Sequence, residues 1–456
     1  MTQTTVSLPV SQPIPTAARL PIIGALPHLL RKQFAYLHEA HQQHGDIFRI
    51  DLGPVDAVVL NHPRHAQYIL RDNVRNYRKG GNMWTSVRTM FGNGLVVSEG
   101  DYWLRQRRMM QPHFHRRYLT GLFELMLTAI DEQLATWPED ATSFDFLTAV
   151  NQITMQVIVR TMFGTQLSDD EFVRLSTAMT HALDYLLVGM IGTTLPNWMP
   201  MPGKKRYQES LQTFDEIVYR VIAQCRNAKD ETNLLAMLLN TVDEETGEQM
   251  TDQQLRDEVA TIFVAGYETT AIGLAWAADY LAHDQTLQTD LATKIDNTLQ
   301  GNTPDLHSLR ELDFVKHTFQ EALRIRPSVW FLPRETVEDD EIDGYYIPAG
   351  TQIALLVSHL HHHPEQWEEP ERFNPDRFAQ GNEQPRHSFS YIPFGAGQRQ
   401  CIGRDFAYME GQLILTRLLQ KYQLLPTGAL ATPQLTTTLR PKGGVRVQLK
   451  KRENLA

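Results

Sequence analysis

The chain has 456 residues, of which 42% are hydrophobic and 21% charged, and its 27 Gly and 24 Pro exclude collagen-like and disordered classes. Its formal net charge of −10 argues against a chain-wide electrostatic surface for nucleic acid or anionic membranes. Only two cysteines occur, Cys225 and Cys401. They are too few for a disulfide scaffold, and this favours a reducing, cytoplasmic setting.

The N-terminal segment, residues 1–20, is predicted to be a Pro-containing tail. It lacks a basic region, and Pro21 and Pro27 break the apolar stretch that follows, so neither a signal peptide nor a transmembrane anchor is expected. The longest segment without charged residues or His is 185–203, and its prolines make it a poor membrane helix. We interpret it as a helix end and an apolar loop.

Residues 21–456 are predicted to form a single domain that is mainly α with a minor β part, the α+β class. Two β-rich runs surround a turn within 46–62, and β-like segments return at 335–357 and near the C terminus, where a hairpin is expected. Helical periodicity dominates the region between them. Helical segments are predicted to end at Pro112, Pro138, Pro196 and Pro327.

A helix predicted over 255–282 is apolar nearly all round, yet it carries Glu268 in its middle. A buried carboxylate is costly unless it is partnered or used. Thr269 can direct its hydroxyl to the carbonyl of Ala265, and Gly266 weakens the same turn, so we expect a bend that opens a polar notch. A satisfied core acid beside a packing glycine explains the same pattern equally well.

A second feature surrounds Cys401, in the glycine-rich segment 391–403 that we call the cysteine loop. Its glycines let the backbone approach something flat or bulky. A helix is predicted to begin just after Cys401, and its N-terminus, together with Arg399, favours the thiolate. Without a second Cys or a close His a zinc site is disfavoured, so an axial thiolate on a haem iron fits better. Cys225 has no such surroundings and is interpreted as an inert core residue.

The sequence lacks the usual motifs of several other enzyme classes. There is no G-x-G-x-x-G, no G-x-x-x-x-G-K-[ST], no H-E-x-x-H and no G-x-S-x-G. We therefore do not expect dinucleotide, P-loop, zincin or serine-hydrolase chemistry, and the chain is not expected to bind NADPH itself.

The cysteine loop resembles the haem-binding signature of the cytochrome P450 family. The pattern Phe-x-x-Gly-x-Arg-x-Cys-x-Gly is matched by Phe394, Gly397, Arg399, Cys401 and Gly403. Further landmarks of the family occur in order: W-x-x-x-R at Trp103 and Arg107, AGYETT at 265–270, E-x-x-R at Glu321 and Arg324, and PDRF at 375–378. From about residue 20 onwards, the chain resembles a soluble, bacterial-type member.

The resemblance implies the cytochrome P450 fold, with haem b (iron protoporphyrin IX) between a long distal helix and the proximal cysteine loop and helix. Cys401 is then the iron ligand, because this family uses thiolate ligation. Glu268 and Thr269 are then the catalytic proton relay. The residues expected to hold the haem are Trp103, Arg107, Ala265, Gly266, Arg334, Phe394, Gly397, Arg399 and Gly403.

The resemblance also implies a buried ionic network and a substrate pocket. Glu321, Arg324 and Arg377 are expected to form the network. Arg372 is the alternative third member, but the distance from Arg377 to Cys401 fits the family pattern better. The expected pocket residues are mostly apolar, which favours an apolar substrate; they are Val264, Val329, Trp330, Phe331 and Leu332.

By the same resemblance, the function is that of a monooxygenase that uses O2 to hydroxylate or epoxidise a mainly apolar small molecule, such as a fatty acid, terpenoid, steroid or polyketide-like compound. The length suits one haem domain without a fused reductase. Electrons from NAD(P)H are therefore expected through a ferredoxin or flavodoxin with its reductase. We expect a cytoplasmic monomer that binds no nucleic acid.

Two rival functions remain open at this point. A haem-thiolate peroxygenase or isomerase works with peroxides and no reductase, and the pair Glu268 and Thr269 argues against it. A haem sensor or electron carrier has no use for a proton relay.

Two charged clusters have structural or docking interpretations. Arg105, Arg108, Arg116 and Arg117 surround Arg107 and are hypothesised to form a docking patch for an acidic electron donor; an ordinary solvated face is the alternative. The histidines at 359 and 361–363 are interpreted as structural, and no metal other than haem iron is expected.

Overall fold

A computed structural model describes residues 12–21, 24–52, 56–164, 167–192, 201–227, 233–382 and 385–452. Most of the predicted tail lies outside the described residues. So do residues 193–200 of the predicted apolar loop, which include the helix end predicted at Pro196.

The α-helices of the described residues are α1 (Leu26–Lys32), α2 (Phe34–His44), α3 (Pro63–Gln67), α4 (Gly81–Phe91), α5 (Gly100–Met110), α6 (Arg116–Ala135), α7 (Phe146–Phe163), α8 (Asp169–Gly192), α9 (Lys204–Asn227), α10 (Leu234–Asn240), α11 (Asp252–His283), α12 (Gln285–Leu299), α13 (Ser308–Glu311), α14 (Asp313–Ile325), α15 (Val357–Leu360) and α16 (Arg404–Lys421). The strands are β1 (Ile47–Asp51), β2 (Asp56–Leu60), β3 (Tyr77–Arg78), β4 (Asp140–Asp145), β5 (Leu332–Thr336), β6 (Asp340–Ile342), β7 (Tyr345–Ile347), β8 (Gln352–Leu355), β9 (Tyr422–Pro426), β10 (Pro433–Leu435), β11 (Leu439–Pro441) and β12 (Arg446–Lys451). The prediction of a mainly helical α+β fold is confirmed.

Helix ends follow local signals in the sequence. Helix α6 ends before Pro138 and α14 ends before Pro327, because proline disfavours helical geometry in the residue that precedes it. Helix α11 begins at a capping box, in which Thr251 and Gln254 satisfy each other's backbone N–H groups.

Helix α11 passes through the centre of the molecule. It packs against α7, α14 and α16, and Trp276 near its C-terminal end is fully buried. Of the described helices, α11 alone is long and apolar enough to span a membrane, and 83% of its most apolar window is buried inside the protein. Its all-round hydrophobicity is therefore that of a core helix.

The strands form small sheets beside the helices. The largest has the order β1-β2-β8-β5-β3, and only the β2–β8 pair is parallel. The predicted C-terminal hairpin is β10 and β11. It lies against α11, where the Trp276 indole N–H donates to the Leu439 carbonyl over 2.9 Å.

Candidate active site

The cysteine loop reaches the start of α16 through a closely packed turn. The Cys401 N–H donates to the Phe394 carbonyl over 2.8 Å, which closes the loop. Gly397 has φ of +66°, and a Cβ there would lie 2.0 Å from the Leu70 carbonyl oxygen. Both its conformation and the lack of space require glycine at this position.

The Cys401 thiol opens into a cavity at the centre of the protein. Burial raises the pKa of the Cys401 thiol, while the Gly403 N–H, Arg107, Arg404 and Lys79 favour the thiolate and oppose this rise. The sequence predicted that the helix N-terminus and Arg399 stabilise the Cys401 thiolate. The helix terminus does act through the Gly403 N–H, but Arg399 is engaged elsewhere, and desolvation outweighs the favourable contacts.

The cavity has a volume of about 380 Å³ and lies between α11 and the cysteine loop. The residues of α11 that line it recur at helical spacing, with Thr261, Ala265 and Thr269 each about one turn apart. The predicted site residues that line it are Trp103, Arg107, Ala265, Gly266, Thr269, Val329, Phe331, Leu332, Arg334, Phe394, Arg399, Cys401 and Gly403.

Apart from the ionic network, four predicted site residues are not among the cavity-lining residues. Val264 is buried in the core, on another face of α11 from Ala265. Trp330 donates its indole N–H to the Thr436 carbonyl over 2.9 Å and packs on the ring of Phe34. The Trp330 ring also packs against the Phe331 ring, with centroids 4.3 Å apart, so it supports a cavity-lining side chain from behind. The other two are Glu268 and Gly397.

One end of the cavity concentrates cationic side chains. Burial lowers the pKa of Arg334 to about 10, and its side chain donates to the neighbouring Pro333 carbonyl. Burial lowers the pKa of Lys79 well below its ordinary value, and the nearby charges of Arg334 and Arg399 lower it further. Among the described residues, Lys79, Arg334 and Arg399 share one neighbouring carboxylate, that of Glu99.

Arg107 and Arg399 are held by backbone carbonyls and by an aromatic ring. Arg107 donates to the Gln400 carbonyl over 2.9 Å, and its charge is close enough to Cys401 to stabilise a thiolate. Arg399 donates to the Ser98 carbonyl over 2.8 Å and lies over the Trp103 ring, 3.8 Å from its centroid.

These residues fit haem, which carries two carboxylates on an otherwise apolar ring. A cation cluster with too few carboxylate partners is suited to two buried anions. Apolar walls and glycine at 397 suit a flat ring, and the single thiol at the cavity surface suits one axial ligand.

The candidate proton relay faces two different environments. Thr269 lines the cavity, and its hydroxyl donates to the Ala265 carbonyl over 2.6 Å, as the sequence predicted. Glu268 is buried and accepts hydrogen bonds from Arg440, over 2.8 Å from Nε, and from Thr438, over 3.1 Å. The carboxylate therefore points towards the C-terminal hairpin.

The central pair of the expected ionic network, Glu321 and Arg324, is completely buried. Arg324 donates two hydrogen bonds to the two Glu321 oxygens, over 2.7 and 2.9 Å, and both side chains have no exposed surface. The Arg377 Nε lies 3.3 Å from Glu321, whereas Arg372 pairs with Glu369 in solvent.

The sequence interpretation missed several residues that shape the site. Lys79 and Glu99 lie outside the recognised motifs, and only the fold brings them beside Arg334 and Arg399. Arg440 was missed because it lies 172 positions from Glu268. One signal was available: a buried carboxylate requires a cation or several hydrogen-bond donors.

Two members of the hypothesised docking patch, Arg105 and Arg108, are already paired within the protein. Arg105 contacts Asp243 and Glu248, and Arg108 contacts Asp243 and Glu245. These contacts compensate both charges, so the structure does not support this pair as a free basic surface.

Comparisons with known proteins agree with this geometry. A family model described as Cytochrome P450 matches residues 13–448. Cyclooctat-9-en-7-ol 5-monooxygenase of Streptomyces melanosporofaciens is 30% identical over 413 residues, 89% of this chain and 88% of that protein. Pentalenene oxygenase of Streptomyces avermitilis is 30% identical over 428 residues, 93% of this chain and 94% of that protein.

Solved structures show the same fold. The crystal structure of cytochrome P450DA heme domain superposes with a TM-score of 0.89 at 25% identity, and the match covers 97% of this chain and 98% of that one. The chain therefore belongs to the cytochrome P450 family of haem-containing monooxygenases.

Proposed function

We propose that the protein inserts one oxygen atom from O2 into an apolar small molecule of the terpenoid class, by hydroxylation or epoxidation. The observation that carries this proposal is the apolar cavity shared by the Cys401 thiol and the Thr269 face of α11. The named relatives include one enzyme that acts on a cyclic alcohol and one pentalenene oxygenase, which favours a terpenoid over the other apolar classes.

Each wall of the cavity has a separate role in this chemistry. Haem bound at Cys401 supplies oxygen activation, for which a thiolate ligand donates electron density. Val329, Phe331 and Leu332 orient an apolar substrate and exclude water. Arg334 and Lys79, with Arg399, hold the haem carboxylates.

Residues of α11 supply the protons for this reaction. The Thr269 hydroxyl lies on the α11 wall of the cavity, where it can hold a proton for the reacting oxygen. Glu268 serves as the proton source behind it, and Arg440 holds that carboxylate until it turns inward.

We further propose that the electrons come from NAD(P)H through a separate ferredoxin or flavodoxin and its reductase, and that the protein works as a cytoplasmic monomer. The absence of the common dinucleotide and P-loop motifs from the sequence supports separate partners.

The carbon monoxide difference spectrum of the reduced protein tests thiolate ligation. We expect the long-wavelength Soret maximum of a haem-thiolate protein, its loss in Cys401→Ser, and its retention in the matched control Cys225→Ser, because Cys225 is buried in the core. A wild-type maximum at the shorter wavelength of histidine-ligated haem contradicts the assignment.

The substrate class is tested by titrating the ferric protein with terpenoids, fatty acids and steroids. A spin-state shift with terpenoids, followed by product formed with O2 and reductase, supports the proposal. Turnover with hydrogen peroxide alone, and none with O2 and reductase, points to the peroxygenase instead.

A further inference from the structure

A second cluster of metal-ligating side chains lies outside the cavity. Among the described residues, one group of three such side chains has ligand atoms that all lie within 4.8 Å of one another: Asp46, His62 and His363. Asp46 directly precedes β1, His62 comes shortly after β2, and His363 comes shortly after α15. The fold thus brings together residues that are more than three hundred positions apart in the chain.

Asp46 is the centre of this cluster. Its Oδ1 lies 3.6 Å from the His363 Nε2 and 2.9 Å from the His41 Nε2. Two ligands of a tetrahedral zinc ion, each about 2.0–2.1 Å from the metal, lie roughly 3.3 Å apart. A small side-chain rotation therefore converts the contact between Asp46 and His363 into the spacing of two zinc ligands.

Burial and hydrogen bonding distinguish this cluster from an ordinary surface group. His62 and His363 are 8% and 5% exposed, and the rings lie nearly perpendicular with centroids 4.9 Å apart. The His363 Nδ1 is buried and has no hydrogen-bond partner within the protein. Asp46 is partly exposed, which gives a metal ion a path into the cluster.

The His62 ring is held in place by its neighbour in the chain. The Arg64 N–H donates to the His62 Nδ1 over 3.1 Å, so the His62 Nε2 points to the opposite side, where Glu365 lies 3.5 Å away. Coordination through Nε2 moves the ring proton to Nδ1, and the Arg64 N–H then loses its acceptor.

We propose that Asp46, His62 and His363 bind one zinc ion, with the fourth position open to solvent. Two imidazoles and one carboxylate are ligands that zinc prefers, whereas magnesium prefers oxygen ligands alone. The ion would connect the segments before β1, after β2 and after α15. Such a site is independent of haem chemistry, and the histidine run that the sequence interpretation treated as structural supplies one of its ligands.

The test uses the full-length, haem-loaded protein, first treated with EDTA and then dialysed against micromolar zinc sulfate. Zinc and iron are measured by mass spectrometry. We expect one zinc per haem iron in the wild type, and affinity lowered by more than ~10-fold in Asp46→Asn and His363→Gln. The control His307→Gln, a histidine with an 82% exposed side chain, should retain full binding. Magnesium chloride at the same concentration should not bind.

Two outcomes overturn the proposal: a wild type that retains no zinc, or equal zinc in the wild type and both variants, which indicates adventitious binding. If a variant fails to incorporate haem, the wild-type zinc-edge X-ray absorption spectrum decides. Two imidazoles in the first shell support the site, and a first shell without imidazole refutes it. Faster hydrogen exchange at the Arg64 amide on zinc addition is expected only when His62 is a ligand.

Discussion

The guanidinium of Arg440 binds the carboxylate of Glu268 behind the cavity wall, through a 2.8 Å hydrogen bond from Nε. Glu268 is 6% exposed, whereas its neighbour Thr269 lines the cavity. Two adjacent residues of one helix thus face different surroundings, because successive side chains of an α-helix are about 100° apart. In the proposed function, proton supply through Glu268 would therefore require release of its ion pair with Arg440.

Arg440→Gln should destabilise the protein by roughly 1–3 kcal/mol, because it leaves the Glu268 carboxylate buried without a cation. The low end of this range is expected, since the Arg440 side chain is 35% exposed and water can replace part of the interaction. Urea unfolding measures the change. The double variant with Glu268→Gln should recover part of the loss, and an unaltered stability of the single variant contradicts the assigned pair.

Thr269→Ala should increase the hydrogen peroxide released per NAD(P)H oxidised by about 10-fold, because it removes the hydroxyl that lines the cavity. Thr269→Ser keeps a hydroxyl and is the matched control, with coupling close to that of the wild type. The measurement is the ratio of peroxide to NAD(P)H with a substrate present. If the ratio of peroxide to NAD(P)H is equal in all three proteins, Thr269 has no role in proton supply.

Glu321→Gln should cost about 3–5 kcal/mol and strongly lower the yield of folded protein, because Arg324 then remains fully buried without its counter-charge. Arg372→Ala is the control, since Arg372 pairs with Glu369 in solvent and should change stability by less than ~1 kcal/mol. Thermal unfolding and haem content measure both. Similar losses of stability in the two variants would contradict the conclusion that burial makes the Glu321–Arg324 pair stronger than the exposed pair.

Gly397→Ala should abolish stable haem incorporation, whereas Gly395→Ala should only weaken it. Both glycines have positive φ, +66° and +67°, so alanine strains each of them. Only at Gly397 would the new Cβ collide with backbone, 2.0 Å from the Leu70 oxygen, while at Gly395 the nearest atom is 4.0 Å away. Haem content per protein gives the comparison, and equal effects would show that backbone strain alone is responsible.

Glu258 should make stability fall with rising pH. Burial raises its pKa from an ordinary 4.5 to about 8, although its carboxylate accepts a hydrogen bond from the Leu95 N–H over 3.0 Å. Between these values the folded protein keeps a proton that the unfolded chain releases, so stability declines from about pH 4.5 to about pH 8 and then levels off.

Glu258→Gln keeps an acceptor for the Leu95 N–H and carries no charge, so it should be more stable than the wild type above pH 8 and vary less with pH. Chemical unfolding at several pH values tests this. The exposed Glu244→Gln serves as the control and should follow the wild-type profile. A profile of Glu258→Gln parallel to that of the wild type contradicts the assignment.

The sequence by itself determined the chemistry of the site and its helical supports. Cys401 and its glycines, Thr269 with its Ala265 acceptor, and Glu321 with Arg324 are all within ten residues of their partners. Local helix and turn geometry therefore fixes their relations before any long-range packing.

Only the tertiary structure decided what these groups face. It directed Glu268 to Arg440, brought Lys79 beside Arg334 and Arg399, and turned Val264 and Trp330 away from the cavity. It also placed Asp46 beside His363. These contacts join residues from different elements, and neither periodicity nor a short motif records which distant side chain will compensate a buried charge.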